Sequence, residues 1–388
     1  MSLSRRVLYV TYDGLTEPLG QSQVLPYVRG LAEKGHQFEL LSFEKPGTPL
    51  RFREKLAPNI HWTALRYHKT PSVPATAYDL AQGLSTALLL TKLGRVDLIH
   101  VRSYVPCALV LPIVKALKIA LLFDMRGLWG DEKVDSGSWK QNSQVYKLTK
   151  KLEHQMLAQA NAITVLTYAL KKYLREDYFY RNEIQSPIEV ISTCTDLKLF
   201  SPCRARMNRG DLIYVGSLGG LYMSQEMIQF YLSWRKYAEN PRFVLVTKSP
   251  VDEIKKVFTE MGLERELVCH SVDNHQVPDL IRSSAAALCF IKPSFSKIGS
   301  APTKLGELLA CGLPVAANII GDMARILENT SAGVIVKEMS QIGLERAAED
   351  LYKRSGEQEA KKEARALAKK WFNLNGAVES YDRIYQSC

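Results

Sequence analysis

The sequence predicts an α/β protein built from two doubly wound parallel-sheet domains, and three observations carry that prediction. Short, almost wholly apolar runs recur along the chain. They alternate with helix-length stretches, and the alternation stops at a polar segment and then restarts. Strands that are apolar on both faces belong to a parallel sheet covered by helices on each side. At 388 residues the chain is also too long for one ordinary domain, so the restart reads as a second domain.

The elements follow in order. Arg6–Tyr12 (RVLYVTY) is the first buried strand, and Leu25–His36 is a helix ending at a C-cap glycine, Gly35. Phe38–Phe43, Leu98–Ser103, Ala120–Gly127 and Asn161–Thr167 repeat the strand signal. The apolar stretch Val105–Val114 is far short of the about 20 residues a membrane span needs. Lys115 and Lys118 then interrupt it, so it reads as a buried helix. Polar, aperiodic Ser192–Gly210 separates the two sets. Asp211–Ser217, Phe243–Lys248, Leu267–Ser271, Ala286–Lys292 and Pro314–Asn318 make the second, and a basic helical run closes the chain. The expected domains are 1–205 and 206–370. Ligands of such sheets bind beyond the carboxyl ends of the strands, and two such edges facing each other would form a cleft.

Composition narrows the partners. Fifty-one lysines and arginines against 40 acids leave a net charge of +11, which implies an anionic partner: a phosphate-bearing substrate, a membrane surface or nucleic acid. The seven cysteines include no Cys-x-x-Cys pair, and the seven histidines no His-x-x-x-His pair. That spacing argues against a disulfide framework and a zinc site, so no metal or cofactor is expected. MSLSRR leads directly into a strand without a signal-peptide pattern, which predicts a cytoplasmic protein.

The segment KIGSAPTKLGELLACGLPVAAN, Lys297–Asn318, begins with a helix start. Ser300 or Ala301 is expected at the cap and Pro302 in the first turn, where its missing N–H costs nothing. A helix N-terminus is a ready anion site. Thr303 adds a hydroxyl and Lys304 a full charge. A lysine in a first turn opposes the helix dipole, and that unfavourable placement itself hints at an anion. Glu307, one turn further in, suits a sugar diol, because a carboxylate accepts two hydroxyl hydrogen bonds. Phosphate at the tip and ribose beside the second turn describe a nucleoside diphosphate. An ordinary capped helix with a structural glutamate accounts for the same pattern.

Four stretches carry a family resemblance: PTKLGELLACGLPV, TYDGLTEPLGQSQVLPYVRGLAEKGH, VISTCTDLKLFSP and YVGSLGG. Together and in this order they resemble glycosyltransferase family 4, retaining enzymes of the GT-B fold. The resemblance implies two Rossmann-like domains, a nucleotide-sugar donor on the second, and an acceptor on the first. It implies transfer with retention and without a required metal. It also implies that a final helix, 371–388, crosses back onto the first domain. The donor residues would be Gly20 in the loop after the first strand, Ser217, Lys248, Ser271 and Val272 beside the base, and Lys297, Ser300, Thr303 and Glu307.

Two departures stand out. The family's Glu-x7-Glu pair keeps its second member, Glu307, but its first falls on Gly299. The Arg and Lys that follow the first strand of the second domain are missing, with Ser217 at the arginine position. Lys304, Lys297 and Lys248 are the candidates to supply the lost charge.

The other dense stretch is FDMRGLWGDEKVDSGSW, Phe123–Trp139, at the end of a strand. Carboxylates, arginine and tryptophan together suit sugar binding, so Arg102, Asp124, Trp129, Asp131 and Glu132 are expected acceptor ligands. Structural ion pairing among these charges is the plainer explanation. Arg126 and Lys304 are expected to stabilise charge on the leaving diphosphate.

The basic runs Lys140–His154 and Lys361–Lys370 suit either solvated faces or docking on anionic lipid, which would place the protein peripherally on the inner membrane face. Three readings of function follow. The first is a glycosyltransferase using a UDP- or GDP-sugar and a glycan or lipid-linked acceptor, in polysaccharide or glycoconjugate synthesis. The second is a GT-B nucleotide-sugar 2-epimerase. The third is a non-catalytic basic binder of nucleic acid, whereas the first expects no nucleic-acid partner.

Overall fold

The computed structural model describes residues 4–47, 56–68, 72–177, 180–202 and 210–388. They divide into two compact units, Met1–Ser192 with Leu374–Cys388, and Thr193–Asn373.

In the first unit the strands are β1 (Arg6–Thr11), β2 (Gln37–Glu44), β3 (Ile60–Arg66), β4 (Leu98–Arg102), β5 (Ala120–Met125), β6 (Ala162–Val165) and β7 (Ile188–Val190). They form one parallel sheet in the order β3-β2-β1-β4-β5-β6-β7. Val7 pairs with Phe38 on one side and Leu98 on the other, so β1 is central and buried along its length after Arg6. The connecting helices are α1 (Pro18–Gln23), α2 (Leu25–Glu33), α3 (Ser72–Leu93), α4 (Tyr104–Leu117), α5 (Trp129–Asp135), α6 (Gln144–Gln159) and α7 (Tyr168–Glu176).

The second unit repeats the plan. Its strands are β8 (Leu212–Val215), β9 (Phe243–Val246), β10 (Leu267–His270), β11 (Ala286–Cys289), β12 (Val315–Asn318) and β13 (Gly333–Val336). They pair in parallel in the order β10-β9-β8-β11-β12-β13. Its helices are α8 (Ser224–Trp234), α9 (Asp252–Glu260), α10 (Val277–Ser283), α11 (Thr303–Ala310), α12 (Met323–Leu327), α13 (Gln341–Ser355) and α14 (Gln358–Trp371). One apolar layer packs α11 and α14 on the sheet, and another packs α8 and α13 on its opposite face. In both sheets the strand order reverses beside the central strand, between β1 and β4 and between β8 and β11. The crevice outside the carboxyl ends at such a reversal is where ligands of these sheets bind.

The basic run at the end is two helices rather than one. α14 buries a stripe of Ala360, Ala364 and Ala368, and with Phe372 it belongs to the core of the second unit. The return to the first unit begins at Leu374, not at 371, with α15 (Leu374–Ser387). Its Val378 lies over Gly30 of α2, where an added Cβ would come within 2.6 Å. Asp382 meets the buried His36 at 2.9 Å, and the Tyr385 hydroxyl meets His100 at 2.7 Å. The boundary expected between 205 and 206 lies outside the described residues. Phe200, before it, packs in the second unit, and Arg365 donates to the carbonyls of Leu197, Phe200 and Ala310. Among the described residues no helix is long and apolar enough to cross a membrane.

Candidate functional site

In the second unit the site forms where β8, β11 and the start of α11 come together. α11 begins at Thr303 with Pro302 at its N-cap, so neither Ser300 nor Ala301 caps it and Pro302 lies one position outside the first turn. The Pro302 ring fixes the backbone there but offers no side-chain oxygen, and no side chain caps the helix. The opening N–H groups are therefore not used by a cap.

Lys304 reaches from this first turn to the end of β8. Its ammonium donates to the Tyr214 hydroxyl at 2.8 Å, and that hydroxyl donates to the Ser217 carbonyl at 2.5 Å. The same ammonium stands 4.2 Å from the centroid of the Tyr214 ring and 4.3 Å from that of Tyr222. Among the described residues no carboxylate forms an ion pair with it. Burial lowers its pKa to about 8, with Cys289 and Glu307 opposing the shift. Glu307, one turn along, has no side-chain partner among the described residues. Burial raises its pKa to about 7 against the pull of Lys304. The two expected residues thus stand together, each carrying a charge that burial disfavours.

The other expected donor residues scatter around this centre. Ser217 is exposed in the loop after β8 and contributes its carbonyl to Tyr214. Lys248 is exposed beyond β9. Ser271 is exposed just after β10, and Val272 packs partly into the core. Lys297, a candidate for the missing positive charge, is 6% exposed, inside a 3-10 turn over Phe295–Gly299. Ser300 follows that turn and donates its N–H to the Lys297 carbonyl.

Gly20 is not in a glycine loop. It lies inside α1, where an added Cβ would stand 2.1 Å from the Gly14 carbonyl oxygen. Its missing side chain serves helix-on-loop packing in the first unit.

At the carboxyl edge of the first sheet, Asp124 is 2% exposed and accepts a hydrogen bond from Thr164 at 3.0 Å. Arg126 approaches it at 3.4 Å and Arg102 at 3.6 Å. Burial alone would raise the Asp124 pKa, but Arg126 and Arg102 outweigh it and hold the carboxyl below its ordinary range. Arg102 also donates to Asp13 at 3.2 Å. Asp124 is therefore the shared counter-ion of two arginines, and Arg126 carries a charge already paired. Asp131 is also spent: it accepts from Tyr146 at 2.8 Å and from Lys150 at 2.9 Å. That bond ties α5 to α6, beside the buried Glu153. The expected loop is in part the helix α5, with Trp129 and Glu132 half-buried on it and Trp129 edge-on to Trp139. Structural pairing accounts for Asp124 and Asp131.

Sequence reasoning passed over Tyr214, which reads as core near the end of an apolar strand, and Tyr222, which lies in the loop before α8. It also missed His68, whose Nδ1 lies 2.6 Å from the fully buried Asp79, which takes the Tyr12 hydroxyl as well. Asp79 lies within a helix whose apolar run gave no sign of it. Among the described residues no group of three or more His, Cys, Asp or Glu side chains could hold a metal ion.

Each sheet has a strand-order reversal, where ligands of such sheets bind, and Lys304 and Glu307 stand at the second. Residues 21–199 match the model of Glycosyltransferase Family 4, and residues 209–354 match that of Glycosyl transferases group 1. The chain belongs to these glycosyltransferases and has their GT-B fold. A sucrose-phosphate synthase from Thermosynechococcus elongatus is similar in structure, with a TM-score of 0.70 at 14% identity over 99% of this chain and 98% of that one. The Anabaena protein HepE in complex with UDP and glucose gives 0.72 at 15% identity over 99% and 100%. A glycosyltransferase from Rickettsia africae gives 0.71 at 14% over 99% and 98%. No curated protein sequence matches.

Proposed function

We propose that the protein is a retaining glycosyltransferase that moves a hexosyl group from a UDP- or GDP-sugar to a glycan or lipid-linked acceptor in cell-surface polysaccharide or glycoconjugate synthesis. The observation that carries this reading is the Lys304 ammonium, held without a carboxylate partner beside the uncapped start of α11, with Glu307 one turn on. A diphosphate would supply the missing counter-charge, and a ribose diol the missing partners of Glu307. HepE, similar in fold, was solved with UDP-glucose.

In the reaction the acceptor oxygen bonds to the anomeric carbon as the bond from that carbon to the diphosphate breaks. The acceptor proton passes to the departing phosphate oxygen, so the sugar is delivered on the face it left. Lys304 and the α11 amides stabilise the negative charge that develops on the leaving group. Arg126 was the second candidate for this role, but Asp124 already neutralises it, which leaves Lys304 as the principal cation. The acceptor falls to the first unit, where Trp129 and Glu132 stay among the expected ligands and Arg102, like Arg126, is already paired, with Asp13 and Asp124. Because Asp131 and Asp124 are paired internally, the polar loop argues less for transfer over epimerisation than its composition suggested. Family membership favours transfer.

A lipid-linked acceptor calls for a peripheral site on the inner membrane face. Helix α6 exposes Val145 and Leu148 beside Lys147 and Lys151, an apolar strip bordered by cations that suits an anionic bilayer.

A thermal-shift panel of UDP-, GDP- and ADP-sugars tests the reading. One class is expected to raise the melting temperature of wild type but not of Lys304→Met. A panel in which no nucleotide sugar shifts wild type overturns it. Formation of an epimer from UDP-GlcNAc alone would point to the isomerase instead.

A further inference from the structure

The cage around Lys304 is more built than a lone phosphate-binding lysine requires. Two tyrosine rings flank the ammonium at 4.2 and 4.3 Å. Cation–π attraction is greatest when the cation is partly desolvated, as here. Tyr214 does more than flank it. Its hydroxyl accepts from the ammonium and donates to the Ser217 carbonyl, so one oxygen links α11 to the loop after β8. Tyr222 is anchored independently by a backbone bridge to Ile291, just past β11, and Lys292 donates to the neighbouring Leu221 carbonyl at 2.7 Å. The lysine tip is therefore registered against both strands that border the sheet reversal. The loop is also the place where the family's arginine and lysine are absent.

We propose that Tyr214 and Tyr222 are positioning residues of the donor site, which aim a single caged lysine at the diphosphate in place of the missing pair of cations. The proposal rests on the donor-site reading above. A flexible lysine loses much side-chain entropy when it binds phosphate, and a cage removes most of that cost beforehand. The rings attract the ammonium without neutralising it, whereas a carboxylate partner would compete with the phosphate. The groups facing the ammonium are Tyr214 on β8, Tyr222 before α8, Cys289 on β11 and Glu307 on α11. Burial drives the Tyr214 phenol and the Cys289 thiol upward, so both stay neutral when the lysine titrates.

The test is titration calorimetry of the full chain with whichever of UDP, GDP and ADP binds tightest, paired with its parent nucleoside. Tyr222→Leu, which removes a ring, and Tyr214→Phe, which removes the hydroxyl that accepts from the ammonium, are each expected to weaken the diphosphate about three- to tenfold, the range of one such contact. The nucleoside should be affected less than twofold. Tyr222→Phe, which keeps the ring, should recover most of the loss seen in Tyr222→Leu. The alkaline decline of diphosphate affinity should move to lower pH in Tyr222→Leu, because the ammonium has lost a stabilising neighbour. Equal weakening of diphosphate and nucleoside, or no weakening at all, overturns the inference. If Lys304→Met loses the diphosphate while both tyrosine variants keep it, the cage is refuted and the donor site stands. If none of the three diphosphates binds wild type, both fall.

Discussion

A Cβ placed on Gly216 would stand 2.7 Å from the Lys304 ammonium nitrogen, and Gly216 has φ +133°, a backbone conformation that side chains rarely adopt. The glycine after β8 is thus the floor against which the caged lysine rests. Gly216→Ala should both strain the loop by about 1 kcal/mol or more and push the ammonium off Tyr214. Gly219, at φ +75° with nothing within 4 Å of its added Cβ, is the control for strain alone. Calorimetry should show nucleoside-diphosphate affinity lost in Gly216→Ala and largely kept in Gly219→Ala. Equal losses would remove the steric link to Lys304.

The paired titrations at this site set a pH window. Glu307, raised to about 7 from 4.5, favours the fold at acid pH, and that contribution is lost as pH rises through 7. Lys304, lowered to about 8 from 10.5, acts the other way: its burial opposes the fold below pH 8, and stability is regained between 8 and 10.5. Diphosphate binding needs the lysine charged and the glutamate ionised, so affinity should be greatest between about 7 and 8. Glu307→Gln should flatten the acid limb. An affinity profile that is flat from pH 6 to 9 in wild type would contradict both assignments.

Asp124 holds two arginines, each within 3.6 Å. Asp124→Asn leaves the buried Arg102 and the largely buried Arg126 without their shared counter-ion, and breaking such a buried pair costs about 3–5 kcal/mol. Its depressed pKa means the wild-type contribution is present above the ordinary carboxyl value of 3.8 and lost as pH falls below it. Urea unfolding at pH 7 should register the loss. A change under about 1 kcal/mol would mean that the arginines are not buried as described.

Helix α6 supplies the membrane prediction. Leu148→Glu, at a residue 57% exposed, should abolish pelleting with phosphatidylglycerol vesicles at low salt and leave the melting temperature within a degree or two. Wild type that fails to pellet under the same conditions ends the membrane reading.

Most of the architecture was legible because its central strands are buried on both faces. β1, β2, β4, β5 and β6, and β8, β9, β11 and β12, read as apolar runs within one to three residues of their observed ends. The three strands that were missed, β3, β7 and β13, are all sheet edges. β3 alternates buried and exposed positions, β7 has three residues, and β13 has four, so none presents a long apolar run. The placement of Lys304 and Glu307 in the first turns of a helix was legible from helix-start chemistry, because a first-turn lysine runs against the dipole. Gly20 was misread because its reason is contact with Gly14, a neighbour across a fold in the chain that spacing does not reveal. Asp124 and Asp131 stayed open between ligand and structural pair for a related cause: a carboxylate in a polar stretch looks available until its partners, here Thr164, Tyr146 and Lys150, arrive from later helices and strands.

The most direct measurement is a crystal structure of the full chain grown with the nucleoside diphosphate that binds tightest. The account predicts a diphosphate against the amides that open α11, within hydrogen-bond distance of the Lys304 ammonium, and a ribose on Glu307. A diphosphate bound elsewhere, with Lys304 still enclosed by its tyrosines and Glu307 unpartnered, would contradict it.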